Sequence, residues 1–217
     1  MVGGDIYWGR KWGQGSLVLL ADCTGHGVPG AFMTLISSGA LDRALSDVEV
    51  GDTATLIQHM HRIVQQMLSQ DQDVCDEDHC SDDGLELGVC YIQPSKDSLT
   101  FAGTGFPLFY TDGNGLKKLK GDRKGIGYRH IPMDTNWTNK VLGVEQGMCF
   151  YMSSDGIFDQ IGGPKKRGFG KKRFMKILDS LQTVPIAEQG DAIYQQLVEY
   201  QGEEKRRDDV SAMGFKL

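Results

Sequence analysis

Short, dense apolar runs alternate along this chain with longer stretches in which apolar residues recur every three or four positions. The run Leu17–Ala21 is short and continuous, which predicts a buried strand. Residues 3–12 predict a strand before it, and Gly13 and Gly15 supply the turn between the two. We therefore expect the chain to begin with a pair of neighbouring strands.

Four stretches have the apolar spacing of amphipathic helices. The first covers residues 29–45, with apolar side chains at intervals of three and four. A second runs over 53–68, where Asp52 is suited to cap the first turn. Two more are predicted near 171–182 and 187–201.

Further strand signals are separated by Pro, Gly and Asp turns. They cover 85–93, 98–103, 107–111, 116–120, 148–152 and 208–215. The order is therefore strands, two helices, a run of strands, two helices and a last strand. Such segregated runs predict an α+β fold rather than alternating βαβ units.

Three polar segments connect these elements. Residues 70–84 are acidic and aperiodic, which predicts a loop. Residues 117–140 are basic and interrupted by glycine, which predicts a long surface excursion, and 162–173 form a second basic loop. The basic segments suit a phosphoprotein partner or its phosphate, although such residues in an acidic domain are more often simply solvated.

The composition narrows the class of protein. A net charge of −6 over 217 residues gives no general attraction to nucleic acid or to an anionic membrane. Five irregularly spaced cysteines fit a reducing, cytoplasmic compartment rather than a disulfide framework. No apolar run approaches the roughly 18 residues of a membrane span. We expect residues 1–217 to be a single domain excised from a larger protein.

Four acid-bearing motifs lie beside predicted strand ends: Gly4-Asp5, Asp22, Asp155-Gly156 and Asp208-Asp209. Each alone is typical of a turn or a solvated acid. Together they would repel one another unless a cation lay between them. Carboxylates without a His or Cys pattern suit Mg²⁺ or Mn²⁺, and two such ions can share a carboxylate and activate a water against phosphorus.

Five segments that contain these acids or lie between them occur in order: GGDIY (3–7), ADCTGHGVPGAFM (21–33), FAGTGFPLFY (101–110), SSDGIFDQ (153–160) and RRDDVSAMGF (206–215). They resemble the motifs of the metal-dependent, type 2C-like (PPM) protein Ser/Thr phosphatases. The resemblance is to the bacterial stage-II-sporulation-E/RsbU branch, and to its SiaA-like, membrane-tethered type. One departure is that the family's Ala-Gly-His-Pro appears as residues 103–107, GTGFP, so a histidine contribution is lost.

The resemblance implies an αββα sandwich, two central antiparallel sheets flanked by helix pairs, with the metals in a cleft at a sheet edge. Carried over, Asp22 would bridge two ions and the carbonyl of Cys23 would hold one of them. Asp155 and Asp208 would ligate the other ion. Asp5 would orient a metal-bound water, so these four acids would be catalytic.

Other polar residues are less informative. His26 is suited to act as a general acid, but we expect it instead to make a loop-shaping hydrogen bond. Cys75, His79 and Cys80 lack the second half of a zinc site. Whether Asp209 takes part in catalysis is left open.

A weak third metal site is a further alternative. Asp82 and Asp83 precede the strand at 85–93 where some relatives place such a ligand, and Asp159 follows Asp155 by four residues. We expect Asp82 and Asp83 to be solvated loop acids.

The function that the resemblance implies is removal of phosphate from a Ser or Thr of a small bacterial regulatory protein of the anti-sigma-factor-antagonist type, in a partner-switching pathway. A sensor would lie upstream, and the full-length protein would be tethered to the inner membrane by segments outside this chain. The domain itself would be cytoplasmic, and we expect weak association of two copies through helix 30–45 or 54–68.

Two other functions remain as alternatives. A non-catalytic binding module on the same fold would grip its partner without hydrolysis, but it would not need all four acids. A metal-dependent nuclease or phosphodiesterase shares the carboxylate chemistry but not the motif order, and the acidic charge disfavours it.

Overall fold

The computed structural model describes residues 3–71 and 82–217. Contacts divide the chain into two compact units, Met1–Phe106 with Lys120–Val144, and Pro107–Leu119 with Glu145–Leu217. The predicted absence of a zinc site at Cys75, His79 and Cys80 concerns residues outside the described part.

The order of elements follows the predicted one, with short additions. The strands are β1 (Asp5–Trp12), β2 (Gly15–Cys23), β3 (Leu85–Ile92), β4 (Ser98–Thr104), β5 (Leu108–Thr111), β6 (Leu116–Leu119), β7 (Lys140–Gly143), β8 (Cys149–Ser153), β9 (Ile161–Gly162), β10 (Arg167–Gly168) and β11 (Ala212–Lys216). The helices are α1 (Gly27–Asp47), α2 (Thr53–Met67), α3 (Asp155–Asp159), α4 (Lys171–Ser180) and α5 (Ile186–Gln201).

The first unit is a five-stranded antiparallel sheet with strand order β1-β2-β3-β4-β7. Alternate residues of β2 point to opposite faces, and Leu17, Leu19 and Ala21 belong to the buried core. Met33 of α1 and Leu56 of α2 belong to the same core. One face of this sheet is therefore the face covered by α1 and α2.

The segment between β6 and β7 is not the surface excursion that its charge predicted. Ile126, Ile131 and Trp137 are buried in the core of the first unit. Gln65 of α2 holds the segment in place, because its amide donates to the carbonyls of Tyr128 (2.7 Å) and Ile131 (2.8 Å). The charged residues dominate the composition, but a few apolar residues decide where the segment lies.

The second unit is a four-stranded antiparallel sheet in the order β11-β8-β5-β6. Its core includes Phe109 of β5 with Phe158 and Phe174 of the helical segments, and the Phe109 and Phe174 rings meet edge to face at 5.5 Å. The predicted basic loop 162–173 contains the short β9–β10 hairpin and the start of α4. The closing strand begins at Ala212 rather than at Asp208.

The predicted class, α+β with two antiparallel sheets and helices, is confirmed. Within 3–71 and 82–217 no helix is both long enough and apolar enough to cross a membrane.

Candidate functional site

Three carboxylates are aligned across three neighbouring strands of the first unit. Asp5 of β1 stands opposite Asp22 of β2, and Asp22 stands opposite Glu86 of β3. Directly opposed residues of antiparallel strands project from the same face of a sheet. Since Ala21 and Cys23 belong to the core under the helices, the three acids project from the other face.

Glu86 was not among the predicted site residues. Its signal in the sequence is the single charge that interrupts the otherwise apolar run Leu85–Ile92. The sequence could have raised Glu86 as a candidate, but only the strand register places it beside Asp22.

The turn after Asp22 lies against the start of β1. The amide of Cys23 donates to the carbonyl of Gly4 at 3.2 Å. A Cβ atom on Gly4 would lie 2.5 Å from the Gly25 oxygen and 2.6 Å from the Cys23 oxygen, so no larger residue fits there without a backbone shift. The second glycine of the Gly-Gly-Asp motif therefore permits the close approach of these two segments.

The Cys23 side chain stays on the buried face. Its Sγ lies 3.5 Å from the Ser37 hydroxyl of α1. Burial raises the pKa of the Cys23 thiol to about 12, and the negative charges of Asp22 and Asp5 add to that rise. The thiol is therefore neutral at neutral pH, and the group that Cys23 could offer to a hard cation is its carbonyl oxygen.

His26 is the residue before the first turn of α1. Its side chain is exposed and makes no capping hydrogen bond. The loop-shaping bond predicted for it is therefore not made as a helix cap.

In the second unit, Asp155 and Asp208 lie on adjacent segments. Asp155 is the first residue of α3, two positions beyond the end of β8, and Asp208 precedes β11 by four positions. A Cβ atom on Gly156 would lie 1.9 Å from the Asp209 oxygen and 3.4 Å from the Asp208 Cβ. The prediction that Asp155 and Asp208 sit at strand ends is thus slightly wrong, but the two segments are in contact.

Two hydrogen bonds join the same two segments. The Ser154 amide donates to the Ser211 carbonyl at 3.0 Å, and the Ser211 amide donates to the Ser154 hydroxyl at 3.1 Å. The Asp208 carboxylate accepts from the Asp209 amide at 2.8 Å, which fixes the local turn. Asp155 and Asp208 are both exposed.

The predicted ligand set is therefore distributed between the two units. Asp5, Asp22 and Cys23 belong to the first, and Asp155 and Asp208 belong to the second. Over the described ranges no group of three or more His, Cys, Asp or Glu residues is arranged to hold a metal ion.

Asp82 holds a loop of the first unit. Its carboxylate accepts from the Arg129 amide at 2.7 Å and lies 3.4 Å from Nδ1 of His130. The Asp83 amide donates to the Gln70 side chain at 2.8 Å. Asp82 is exposed, as predicted for a solvated acid, but it also has this anchoring role.

A cavity of about 490 Å³ lies beside Glu86. It is lined by Glu86, Arg123, Lys124, Gly125, Tyr128, His130, Ile131 and Pro132. The Tyr128 hydroxyl lies 3.4 Å from the Thr24 hydroxyl, two residues after Asp22. Burial, and then the charges of Glu86 and Asp22, raise the pKa of Tyr128, which keeps this phenol neutral.

A family model shows to which protein family this chain belongs. The profile of the stage II sporulation protein E (SpoIIE) family matches residues 13–217. The chain belongs to the SpoIIE family. A comparison with curated protein sequences found no match.

Solved structures agree with this SpoIIE-family membership. The chain is similar to the SiaA-PP2C domain of Pseudomonas aeruginosa, with 34% identity, a TM-score of 0.87, and coverage of 100% of this chain and 81% of that one. The resemblance to type 2C-like phosphatases of the SpoIIE/RsbU branch is thereby confirmed, and the chain is a PP2C-type phosphatase domain.

Two more distant structures share the fold of this SpoIIE-family domain. One contains the RsbU and RsbW domains of a Mycobacterium tuberculosis protein, with 16% identity, a TM-score of 0.75, and coverage of 99% and 55%. The other is the catalytic domain of the Ser/Thr protein phosphatase PstP in complex with two manganese ions, with 14% identity, a TM-score of 0.67, and coverage of 97% and 89%.

Proposed function

We propose that this SpoIIE-family domain is a Mg²⁺- or Mn²⁺-dependent phosphatase that removes phosphate from a Ser or Thr of a small bacterial regulatory protein in a partner-switching pathway. The observation that carries the proposal is the opposition of Asp5 and Asp22 in the β1–β2 ladder, with Glu86 next in line. Like charges directly opposite each other destabilise a sheet, so their presence favours a role that needs them.

The donor set fits a hard divalent cation. Its side chains offer carboxylate oxygens, and the neutral Cys23 thiol leaves only a carbonyl oxygen at that position. In the first unit we propose Asp22 and the Cys23 carbonyl as metal ligands, and Asp5 would accept a hydrogen bond from a metal-bound water. In the second unit we propose Asp155 and Asp208 as metal ligands. When bound, such ions supply a water acidic enough to attack phosphorus at neutral pH. The manganese ions of PstP support this choice of cation.

The cavity beside Glu86 is suited to the phosphorylated segment of the substrate. Arg123 and Lys124 place positive charge in its lining, and guanidinium and ammonium groups bind phosphate through charge-assisted hydrogen bonds. We propose that Arg123 and Lys124 orient the phosphoryl group, while Tyr128 remains neutral and does not repel it.

A regulatory protein as substrate is supported by the relatives. One of the similar structures joins an RsbU domain to an RsbW domain in the same chain. We propose that the substrate is a phosphorylated protein of the anti-sigma-factor-antagonist type.

The experiment that tests the proposal is phosphate release from a phosphoserine peptide and from p-nitrophenyl phosphate. We expect turnover with Mn²⁺ or Mg²⁺, its loss on adding EDTA, and its return when excess Mn²⁺ follows the EDTA. Full turnover in metal-free buffer would reject the metal-dependent mechanism. No turnover with any divalent cation, together with tight binding of the phosphopeptide, would favour the alternative of a non-catalytic binding module.

A further inference from the structure

The β9–β10 hairpin and the start of α4 enclose a basic cavity in the second unit. Residues 161–176 contain seven of the chain's 23 Lys and Arg residues and no acidic residue. The cavity has a volume of about 580 Å³. Its basic lining residues are Lys165, Arg167, Lys172, Arg173 and Lys176.

Tyr200, near the end of α5, anchors the hairpin. Its hydroxyl donates to the Arg167 carbonyl at 2.8 Å, and its carbonyl accepts from the Gly163 amide at 2.8 Å. A Cβ atom on Gly162 would lie 2.0 Å from that same Tyr200 oxygen. The backbone on one side of the cavity is therefore held directly against α5.

Arg173 is fixed in place by aromatic rings. Its guanidinium lies 4.0 Å from the centre of the Tyr200 ring and 5.3 Å from that of Phe169. It also donates to the Phe169 carbonyl at 2.7 Å. Such stacking orients the guanidinium and leaves its charge in place, so the cavity has a positioned cation.

The positive charge of this cavity is largely unbalanced within the described part of the chain. There, the single ion pair of residues 161–176 joins Lys166 to Glu204 at 2.9 Å. Lys165, Lys172 and Lys176 are exposed. Several like charges held this close together repel one another unless an anion lies among them.

We propose that this cavity binds an acidic stretch of a partner protein. The cations are spaced along a turn and a helix. Such an arrangement complements several carboxylates on one peptide better than it complements a single small anion. Nucleic acids and anionic vesicles are disfavoured as occupants because they would also lie against other parts of the protein surface. The protein has a net charge of −6, which repels such large anions. A peptide segment engages only the local field, since charges beyond about 10 Å are screened at 0.1 M salt. The inference goes beyond the proposed phosphatase function and does not depend on it.

Fluorescence polarisation with a labelled peptide of alternating Asp and Ser tests the inference. The test variant is Lys172→Gln with Lys176→Gln, both on the exposed side of α4, so thermal melts should match the unsubstituted protein. The control is Lys118→Gln with Lys216→Gln, two exposed lysines elsewhere in the same unit, which changes the net charge equally. We expect the test variant to bind about tenfold more weakly and the control to change affinity less than about twofold. A matched Asn-Ser peptide should not bind.

Three results would overturn the inference. Equal weakening in the test and control variants would show that only net charge matters. Equal binding of the Asn-Ser peptide would show that carboxylates are not recognised. Tighter binding of phosphatidylserine vesicles or single-stranded DNA than of the acidic peptide, lost in the test variant, would assign the cavity to a different partner.

Discussion

Asp5 and Asp22 occupy directly opposed positions in the antiparallel β1–β2 ladder, and both charges act on the Cys23 thiol between the sheet and α1. Opposed carboxylates reduce the stability of a sheet pair in the absence of a cation. We therefore expect these carboxylates to lower the stability of the metal-free protein and to support turnover when a metal ion is bound.

Asp22→Asn keeps the size of the side chain and removes its charge. We expect turnover with Mn²⁺ to fall on the order of a hundredfold or more, because the proposed bridging ligand is lost. The melting temperature of the metal-free protein should stay the same or rise, since Asp5 and Glu86 lose a like-charged neighbour. Enzyme assay and calorimetry measure the two quantities.

Asp191→Asn is the matched control, because Asp191 is an exposed acid on α5. It should leave both turnover and melting temperature near their original values. Retained turnover in Asp22→Asn would remove Asp22 from the site, and a large fall in its melting temperature would make it a structural residue.

Asp155→Asn tests the half of the ligand set that lies in the second unit. Asp155 is exposed at the start of α3, and the adjoining backbone of Ser154 and Gly156 contacts the segment that carries Asp208. Turnover should fall on the order of a hundredfold or more, with little change in the free energy of unfolding. Asp191→Asn, an exposed acid on α5 of the same unit, is the comparison variant. Near-normal turnover in Asp155→Asn would show that this residue is only part of a turn.

The long elements were predictable because their patterns are strong. The apolar stripe of α2 and the continuous apolar run of β2 each extend over a whole element. The burial of their residues therefore follows the period that the sequence predicts. Short elements such as α3 and the β9–β10 hairpin have too few residues to show a period, and their positions depend on contacts with the segment before β11 and with Tyr200.

The acids of the candidate site can be predicted from the sequence but their geometry cannot, and their role as metal ligands stays a prediction. Asp5 and Asp22 stand out because each adjoins a glycine-containing turn at a strand end. Glu86 is recognisable only once the register of β2 and β3 is known. Similarly, Ile126 and Trp137 show that a segment with a basic composition can belong to the core, because the hydrophobic effect acts on individual side chains.

Weak association of two copies through α1 remains a prediction. Val28, Phe32 and Leu35 follow one another at helical spacing and are 70%, 62% and 69% exposed. Light scattering at increasing concentration should show a rising mean mass, because burying these side chains against a second copy removes apolar area from water. Phe32→Gln with Leu35→Gln should abolish the rise, whereas Tyr194→Gln on α5 should not. A constant monomeric mass would exclude the association.

Asn139 should stabilise the first unit by capping α2. Its Oδ1 accepts from the Ala54 amide at 2.8 Å and from the Thr53 hydroxyl at 2.7 Å, and its Nδ2 donates to Asp52 at 2.7 Å. Asn139→Ala removes this hydrogen-bond partner from the first residues of α2. The substitution should lower the free energy of unfolding by about 1–2 kcal/mol. Asn114→Ala, at an exposed turn, should change it by less than about 0.5 kcal/mol. Chemical denaturation compares them, and equal effects would contradict the capping role.

His61 should make the stability of the first unit depend on pH. The ring is buried, its Nδ1 accepts from the Gly127 amide at 3.0 Å, and its Nε2 donates to the Pro132 carbonyl at 3.1 Å. This arrangement requires the neutral ring, because protonation of Nδ1 would oppose the Gly127 N–H group.

Burial lowers the pKa of His61 below its ordinary value near 6.5, and the nearby charge of Arg62 acts in the same direction. The unfolded chain therefore binds the proton more readily than the folded one. The contribution of His61 to stability is complete above pH 6.5 and decreases as the pH falls through that value towards the lower, folded-state pKa.

His61→Gln should lower the free energy of unfolding by about 1–3 kcal/mol at pH 7.5, because one of two buried hydrogen bonds is lost. The difference in unfolding free energy between the two proteins should be smaller at pH 5.5. At that pH the His61 contribution in the unsubstituted protein is reduced, and the variant has no such contribution at either pH. Gln66→Ala, at an exposed position later in α2, should keep the pH dependence of the unsubstituted protein. Urea titrations of the three proteins at both pH values measure the difference, and an equal deficit for His61→Gln at both would show that this histidine does not titrate with folding.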